Sequence, residues 1–325
     1  MLDAGNALFD SKVSRETESR DSIKARGIAD IYTKMQYTAV NVGPNDIAAG
    51  IPFLLELDKV PWISANYFNS SGEPAFQPYT IRKLEGLSVA VLGLAPLPEN
   101  LPDNYHYQAW TDVLPQLITQ LREEAEFIIL LSALPQQENE TIARSYPQIR
   151  IILSALISNG NTYPRPINNA IIAQTAYQGK YLGHIAVSNG KGAPWQLEDD
   201  ESKKRLEQRI RALDSRISRL ERISSQTEKQ PSTIEILSAE RQKLRDQLKK
   251  HHSVQGDSSP SIYSAEFTAL TANLPEEKGI SKIVAAVKRE IQVFNNEKRK
   301  ENRKKYQQER QQKLSAKNQG GEKAP

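Results

Sequence analysis

Residues 1–9 read Met1-Leu2-Asp3-Ala4-Gly5-Asn6-Ala7-Leu8-Phe9, which has the form of a buried strand end running into a glycine turn. The same form recurs at Ala39-Val40-Asn41-Val42-Gly43-Pro44-Asn45-Asp46-Ile47-Ala48-Ala49-Gly50. Working outward, further short β-branched runs mark strands at Trp62–Ala65, Leu87–Leu92, Phe127–Leu131, Ile149–Leu153, Ala170–Gln174 and Tyr181–Val187. Between them, Arg15–Met35 and Trp110–Ala125 place apolar residues at helical spacing, with Asp112 a candidate cap for the second. That alternation predicts an α/β body over residues 1–197, a largely buried sheet with helices outside it.

Beyond Asp199 the chain becomes charged, with Leu and Ile at regular intervals. Leu206, Ile210, Leu213, Ile217 and Leu220 follow the four-three spacing of an a/d seam, and Leu237, Leu244 and Leu248 form a shorter one. The stretch Ser224–Thr233, containing Pro231, is short enough to demand a reversal, so residues 198–253 read as an antiparallel coiled-coil hairpin. One continuous helix kinked at Pro231 is the alternative. Residues 254–294 read as a linker, a strand at Ile262–Leu270 and an amphipathic helix bearing Ile280, Ile283, Val284, Val287, Ile291 and Phe294. Residues 295–325 form a basic polar tail with no apolar stripe, expected to be disordered or helical only when bound.

Over roughly residues 1–187 these motifs resemble the 5′-nucleotidase branch of the calcineurin-like metallophosphatases. Leu2–Phe9 resembles the Asp-Ala-Gly-Asp strand end, and Val42–Gly50 the Gly-Asn-His-Glu segment with its trailing glycine. Pro61–Asn66 and Val89–Leu94 resemble the next two strands, Ile128–Ser132 the strand ending in Ser-His, and Ile149–Ser158 the one ending in Gly-His-x-His. Gln174, Gly179, Tyr181, Leu182 and Gly183 fit the closing motif. The resemblance implies a metallophosphatase-like sandwich of sheets flanked by helices, here with an appended helical hairpin and a C-terminal helix.

It also implies a mechanism, in which two divalent metals activate a water for in-line displacement at phosphorus. Carried over by position, the bridging Asp falls on Asn6, the ligand Asn on Pro44, the catalytic His on Asn45, with Asp46 beside it. The Ser-His ligand falls on Ala133, and the last two His ligands fall on Leu156 and Ser158. Pro, Ala and Leu side chains offer no donor atoms, and an amide in place of a bridging carboxylate removes the charge that holds two cations together. No His occurs between Tyr107 and Gly183, so a shift of register does not restore the set. His106, His184, His251 and His252 lie elsewhere, the last two as helix C-terminal residues. Asp3 and Asp46 read as acceptors for backbone amides, Asp46 as a cap of the segment after it. The expectation is no cofactor, with the ancestral dinuclear site lost, and a non-catalytic scaffold; a metal-dependent phosphoesterase is the alternative.

The first Asp-x-His motif of the family would lie before Met1, and a chain that opens in mid-strand is expected to have an upstream segment. An export signal there would make the protein extracytoplasmic, in keeping with degenerate relatives tied to electron-transfer systems. The chain has no Cys, which excludes disulfides, thiolate metal sites and covalent haem attachment. Among 325 residues, Lys and Arg number 43 against 39 Asp and Glu; residues 295–325 alone hold ten against four, so the basic character belongs to the tail. The expected partner is a protein met by the hairpin or C-terminal helix, with the tail as a second reading for an anionic surface. No specific nucleic-acid readout and no transmembrane span are expected.

Overall fold

A computed structural model describes residues 1–10, 20–84, 86–156, 160–188, 193–197, 200–224, 231–252 and 261–319; over 200–208, 222–224, 231–232, 247–252 and 313–319 it describes the backbone alone. The first sheet is parallel, in the order β1 (Leu2–Asp3), β2 (Ala39–Asn41), β3 (Trp62–Ile63). A small antiparallel pair, β4 (Tyr67–Asn69) and β7 (Tyr105–Tyr107), stands beside it.

The main sheet has six strands. β5 (Tyr79–Leu84) is one edge, followed by β6 (Leu87–Leu94), β8 (Phe127–Ser132), β9 (Ile149–Ser154), β11 (Ala170–Gln174) and the other edge β10 (Thr162–Ile167). The four inner strands run parallel, and their near-continuous apolar runs are what a sheet buried on both faces requires. One face carries Ala90, Leu92, Ile128 and Leu130 against Leu114, Ile118 and Leu121 of α3 (Trp110–Glu124) and Ile142 of α4 (Gln136–Ser145). The other carries Val89, Val91, Phe127 and Ile151 against Ala39 and Ile63 of the first sheet and Trp195 and Tyr263 of a third. The body is therefore the expected sandwich of sheets flanked by helices.

That third sheet corrects the expected boundaries. Its order is β12 (Tyr181–Ser188), β14 (Ser261–Ala269), β13 (Trp195–Leu197), so the strand after the hairpin re-enters the body as its middle strand. Eight residue pairs from Tyr181↔Ala269 to Ser188↔Ile262 fix it there, matched in length to β12, and it does not lie beside Leu2–Asp3. Asp112 does not cap α3 either. Ala109 is the N-cap without a side-chain bond, and Asp112 sits in the first turn, where a negative charge suits the helix dipole.

Outside the first sheet, α1 (Arg20–Lys34) and the short α2 (Ile51–Leu55) bury Ala25, Ala29, Phe53 and Leu54 in a cluster with Leu8, Phe9, Val40 and Val42. Across α1 lies α7 (Lys278–Gln319), one helix of 42 residues that includes most of the expected tail. Its course through the tail follows from composition: from Ile280 to Gln319 there is no Gly or Pro, and Glu301, Lys305, Glu309 and Lys313 alternate in sign at i, i+4. A Cβ on Gly27 of α1 would lie 2.4 Å from Val287 Cγ2, so the close approach of the two helices depends on that glycine.

The hairpin helices α5 (Asp200–Ser224) and α6 (Pro231–His252) pack through buried Ile210, Ile217, Leu237 and Leu244. Asp214 pairs with Arg241 at 3.0 Å and Arg245 at 3.3 Å, and Arg209 with Glu240 at 3.4 Å. Only six residues separate the end of α5 from the start of α6, so two helices that pack together must run antiparallel, and α6 begins at Pro231, a position where the missing N–H costs nothing. The seam residues Leu206 and Leu248 fall among those without described side chains.

Candidate metal centre

The turns after β1 and β2 place Asn6, Pro44, Asn45 and Asp46 at one end of the first sheet. Gly5 has φ +104° and Asn6 φ +63°, a left-handed pair that swings the Asn6 backbone toward the second turn. There the fully buried Asp46 accepts four backbone N–H groups. Asn6 and Gly43 donate to Oδ2 at 2.7 and 2.8 Å, and Ala7 and Leu8 to Oδ1 at 2.8 and 2.9 Å. Asp46 therefore secures the turn that follows β1, not the short helical segment it begins, whose N-cap Asn45 makes no side-chain bond.

Asn6 occupies the space between the turns. Its Oδ1 accepts the Asn45 N–H at 3.0 Å, and its Nδ2 donates to the Ala155 carbonyl, just past β9, at 3.5 Å. A Cβ on Gly43 would come within 2.4 Å of Asn6 Oδ1. Ala133, past the end of β8, is buried in the apolar cluster of Leu8, Phe9 and Val42. Leu156 is half-buried, and its carbonyl accepts from Gln174 Nε2 at 3.0 Å. Ser158 lies outside the described residues.

Two further side chains, unremarked in the sequence, tie the strand ends together. Asn41 donates to the carbonyls of Ala4 at 2.9 Å and Leu94 at 3.0 Å, and Asn66 accepts the Ala95 N–H at 2.7 Å while donating to Gln108 O at 2.8 Å. An asparagine within an otherwise apolar strand, as at Asn41, was the available signal, because a buried amide needs partners; its Nδ2 finds two carbonyls, while its Oδ1 is buried without a hydrogen-bond partner. Asp3 accepts Gly5 N–H at 2.8 Å and Tyr32 O–H at 2.5 Å.

Burial pushes the Asp46 carboxyl up to about 6, opposed by the amides of Leu8, Gly43 and Asn6. Four N–H donors aimed at its two oxygens favour the carboxylate form. Burial likewise raises Asp3, against the pull of Tyr32 and Gly5, and raises Tyr32, helped by the nearby Asp3 charge.

These residues do not fit a pair of divalent metals. Both Asp46 oxygens are already saturated by two N–H donors each, Asn6 Oδ1 is engaged, and Pro44, Ala133 and Leu156 bring no donor atom. Among the described residues, no three His, Cys, Asp or Glu side chains gather closely enough to hold an ion. His106 stacks on Phe68 at 5.6 Å, and His184 lies in β12 opposite Glu266. What the arrangement does chemically is join two turns and a third strand end by direct hydrogen bonds, at the place where the resemblance would put metal ligands.

No protein-family model matches the chain. In sequence it is similar to the uncharacterized metallophosphoesterase YunD of Bacillus subtilis, 26% identical over 182 residues, a match spanning 49% of this chain and 38% of YunD. In structure it is similar to the sulfate thiohydrolase SoxB of Thermus thermophilus solved with glycerol, at TM-score 0.50 and 20% identity, over 59% of this chain and 36% of SoxB. It also resembles a 5′-nucleotidase precursor from Thermus thermophilus, at TM-score 0.46 and 20% identity, over 59% of this chain and 42% of that one. The chain thus spans less than half the length of each of these proteins.

Proposed function

We propose that this chain, whose α/β body has the metallophosphoesterase fold, is a non-catalytic member that serves as a scaffold presenting helices to a partner protein. The Asp46 cradle carries this reading. A carboxylate that spends both oxygens on four backbone amides has no lone pair directed at a cation, and the neighbouring positions supply none. Its negative charge would also repel a phosphate brought to the same place.

The sequence distribution of charge indicates what the helices would meet. The segments 200–252 and 295–325 together hold 24 Lys and Arg against 13 Asp and Glu, so the net charge of +4 is +11 on these segments over −7 on the rest. A partner with an acidic face is attracted to the helical segments and repelled by the remainder.

A metal-dependent phosphoesterase is the second reading, favoured by the description of YunD as a metallophosphoesterase. Hydrolysis separates the two. Purified chain incubated with p-nitrophenyl phosphate, its bis-ester and AMP, each with Mn²⁺, Zn²⁺ or Mg²⁺, is expected to give no turnover above the protein-free rate. Turnover that EDTA abolishes and Mn²⁺ restores would establish the second reading instead.

A further inference from the structure

Past the stretch where it packs on α1, α7 runs on with a face of its own. Gly27 of α1 meets Val287, and Lys34 lies beside Gly279, so the two helices are antiparallel and the Arg20 end of α1 falls about level with Phe294. From Asn295 to Gln312 every residue is exposed, and none of them is aliphatic. At about 3.6 residues per turn, Arg299, Arg303, Tyr306 and Arg310 form one row, spaced four, three and four residues apart over about 17 Å. Tyr306 is 68% exposed. Glu297 and Glu301 fall on the opposite side of the helix and Glu309 about a quarter-turn away, and among the described residues none of the three arginines forms an ion pair. Lys298 is turned back over the ring of Phe294, away from the row.

We infer that this row is a binding surface for single-stranded nucleic acid, held without regard to base sequence. A guanidinium presents its N–H fork to two phosphate oxygens at once, which favours arginine over lysine at such a contact. Tyr306 stands one helical turn from Arg303 on one side and from Arg310 on the other, so a base stacked on its ring has arginines in reach of the phosphates to either side. A duplex keeps its bases stacked on one another and offers the tyrosine no ring face. An anionic membrane is held by a helix that also buries an apolar face, and an acidic protein by one that lends apolar anchors to a shared core; residues 295–312 provide neither. The row is separate from the hairpin, where Arg209, Arg241 and Arg245 are already paired with acidic neighbours, and its ligand is additional to the protein partner proposed above.

Fluorescence anisotropy of the full chain with a labelled oligothymidylate of about 20 nucleotides tests the row. Binding at about 50 mM salt is expected in the micromolar range and should weaken about tenfold or more by about 200 mM, as three neutralised phosphates require. Arg299→Ala, Arg303→Ala and Arg310→Ala together should weaken it at least about tenfold, and Tyr306→Ala alone about fivefold. Lys298→Ala, Lys304→Ala and Lys305→Ala together remove the same charge from outside the row and should cost no more than about threefold. Alanine favours the helix, so each variant should keep the circular dichroism and melting temperature of the parent. Equal losses in the two triple variants would overturn the inference, since charge would then act without regard to side. So would Tyr306→Ala binding as tightly as the parent, tighter binding to the matched duplex, or no binding of the oligonucleotide by a chain that phosphatidylserine vesicles do capture. Failure to bind either at about 50 mM salt would overturn it as well.

Discussion

Asp46→Ala is expected to destabilise the folded chain by about 4 kcal/mol, the largest effect of any single substitution at the candidate centre. The truncation leaves four backbone N–H groups without their acceptor, two of them in fully buried hydrogen bonds. Bonds to a charged acceptor are worth about 1.5–3 kcal/mol each; relief of the carboxylate's own burial cost and entry of a water offset part of the sum. Asp46→Asn should recover little, because its Nδ2 would present donors to N–H groups that are themselves donors. Denaturant unfolding followed by tryptophan fluorescence measures both, since Trp62, Trp110 and Trp195 all belong to the body. A loss below about 1 kcal/mol for Asp46→Ala would mean that the turns hold together without the cradle.

Gly5→Ala should be nearly as damaging, at about 3 kcal/mol or more. Gly5 combines φ +104° with an approach so close that a Cβ would sit 2.8 Å from Asn41 O and 2.9 Å from Gly43 N, backbone atoms at the end of β2 and in the turn after it. Gly43 N cannot move without loosening its own bond to Asp46. Gly72 and Gly86 provide the controls, with φ +80° and +86° and nothing within 4 Å of the added carbon. Alanine at those positions pays only for the backbone conformation, about 1 kcal/mol. Equal losses at the three glycines would show that Gly5 is retained for its dihedral alone and not for the contact between turns.

The fold was readable where a single local signal sufficed. Apolar runs such as Phe127–Leu131 and Ile149–Leu153 stand out because a parallel strand buried on both faces has no polar side to interrupt it. Strands with a mixed surface escaped: β10 contains two prolines and β5 an Arg-Lys pair, features of edges that read as loops in isolation. The helix α4 begins with Gln136-Gln137-Glu138-Asn139-Glu140, too polar to show an apolar face over its short length. The placement of β14 was beyond local reading, because it pairs with strands more than 60 residues away in sequence.

At the candidate centre the sequence shows which positions carry no donor atom but not what their neighbours bond to. Pro44, Ala133 and Leu156 can be recognised as donorless from their identities alone. That Asp46 turns back to the amides of residues 6–8 depends on the left-handed Gly5-Asn6 pair, and no periodicity records that dihedral. Similarly, Asn6 reads as a weakened ligand until its Oδ1 is seen to accept the Asn45 N–H. The hairpin seam was legible because a/d spacing is local, whereas the ion pairs of Asp214 with Arg241 and Arg245 required the reversal to be known first.

Hydrogen bonds among Asn6, Asn45 and Asp46 are proposed to stand where a dinuclear centre would otherwise be built. Metal content tests it most directly. Chain produced in medium supplemented with Mn²⁺ and Zn²⁺, purified without chelator and analysed by inductively coupled plasma mass spectrometry, should retain less than about 0.1 equivalent of either metal, because a site lacking imidazole and free carboxylate donors cannot hold them. Two equivalents of metal per chain, lost on treatment with EDTA and recovered on readdition, would contradict the account.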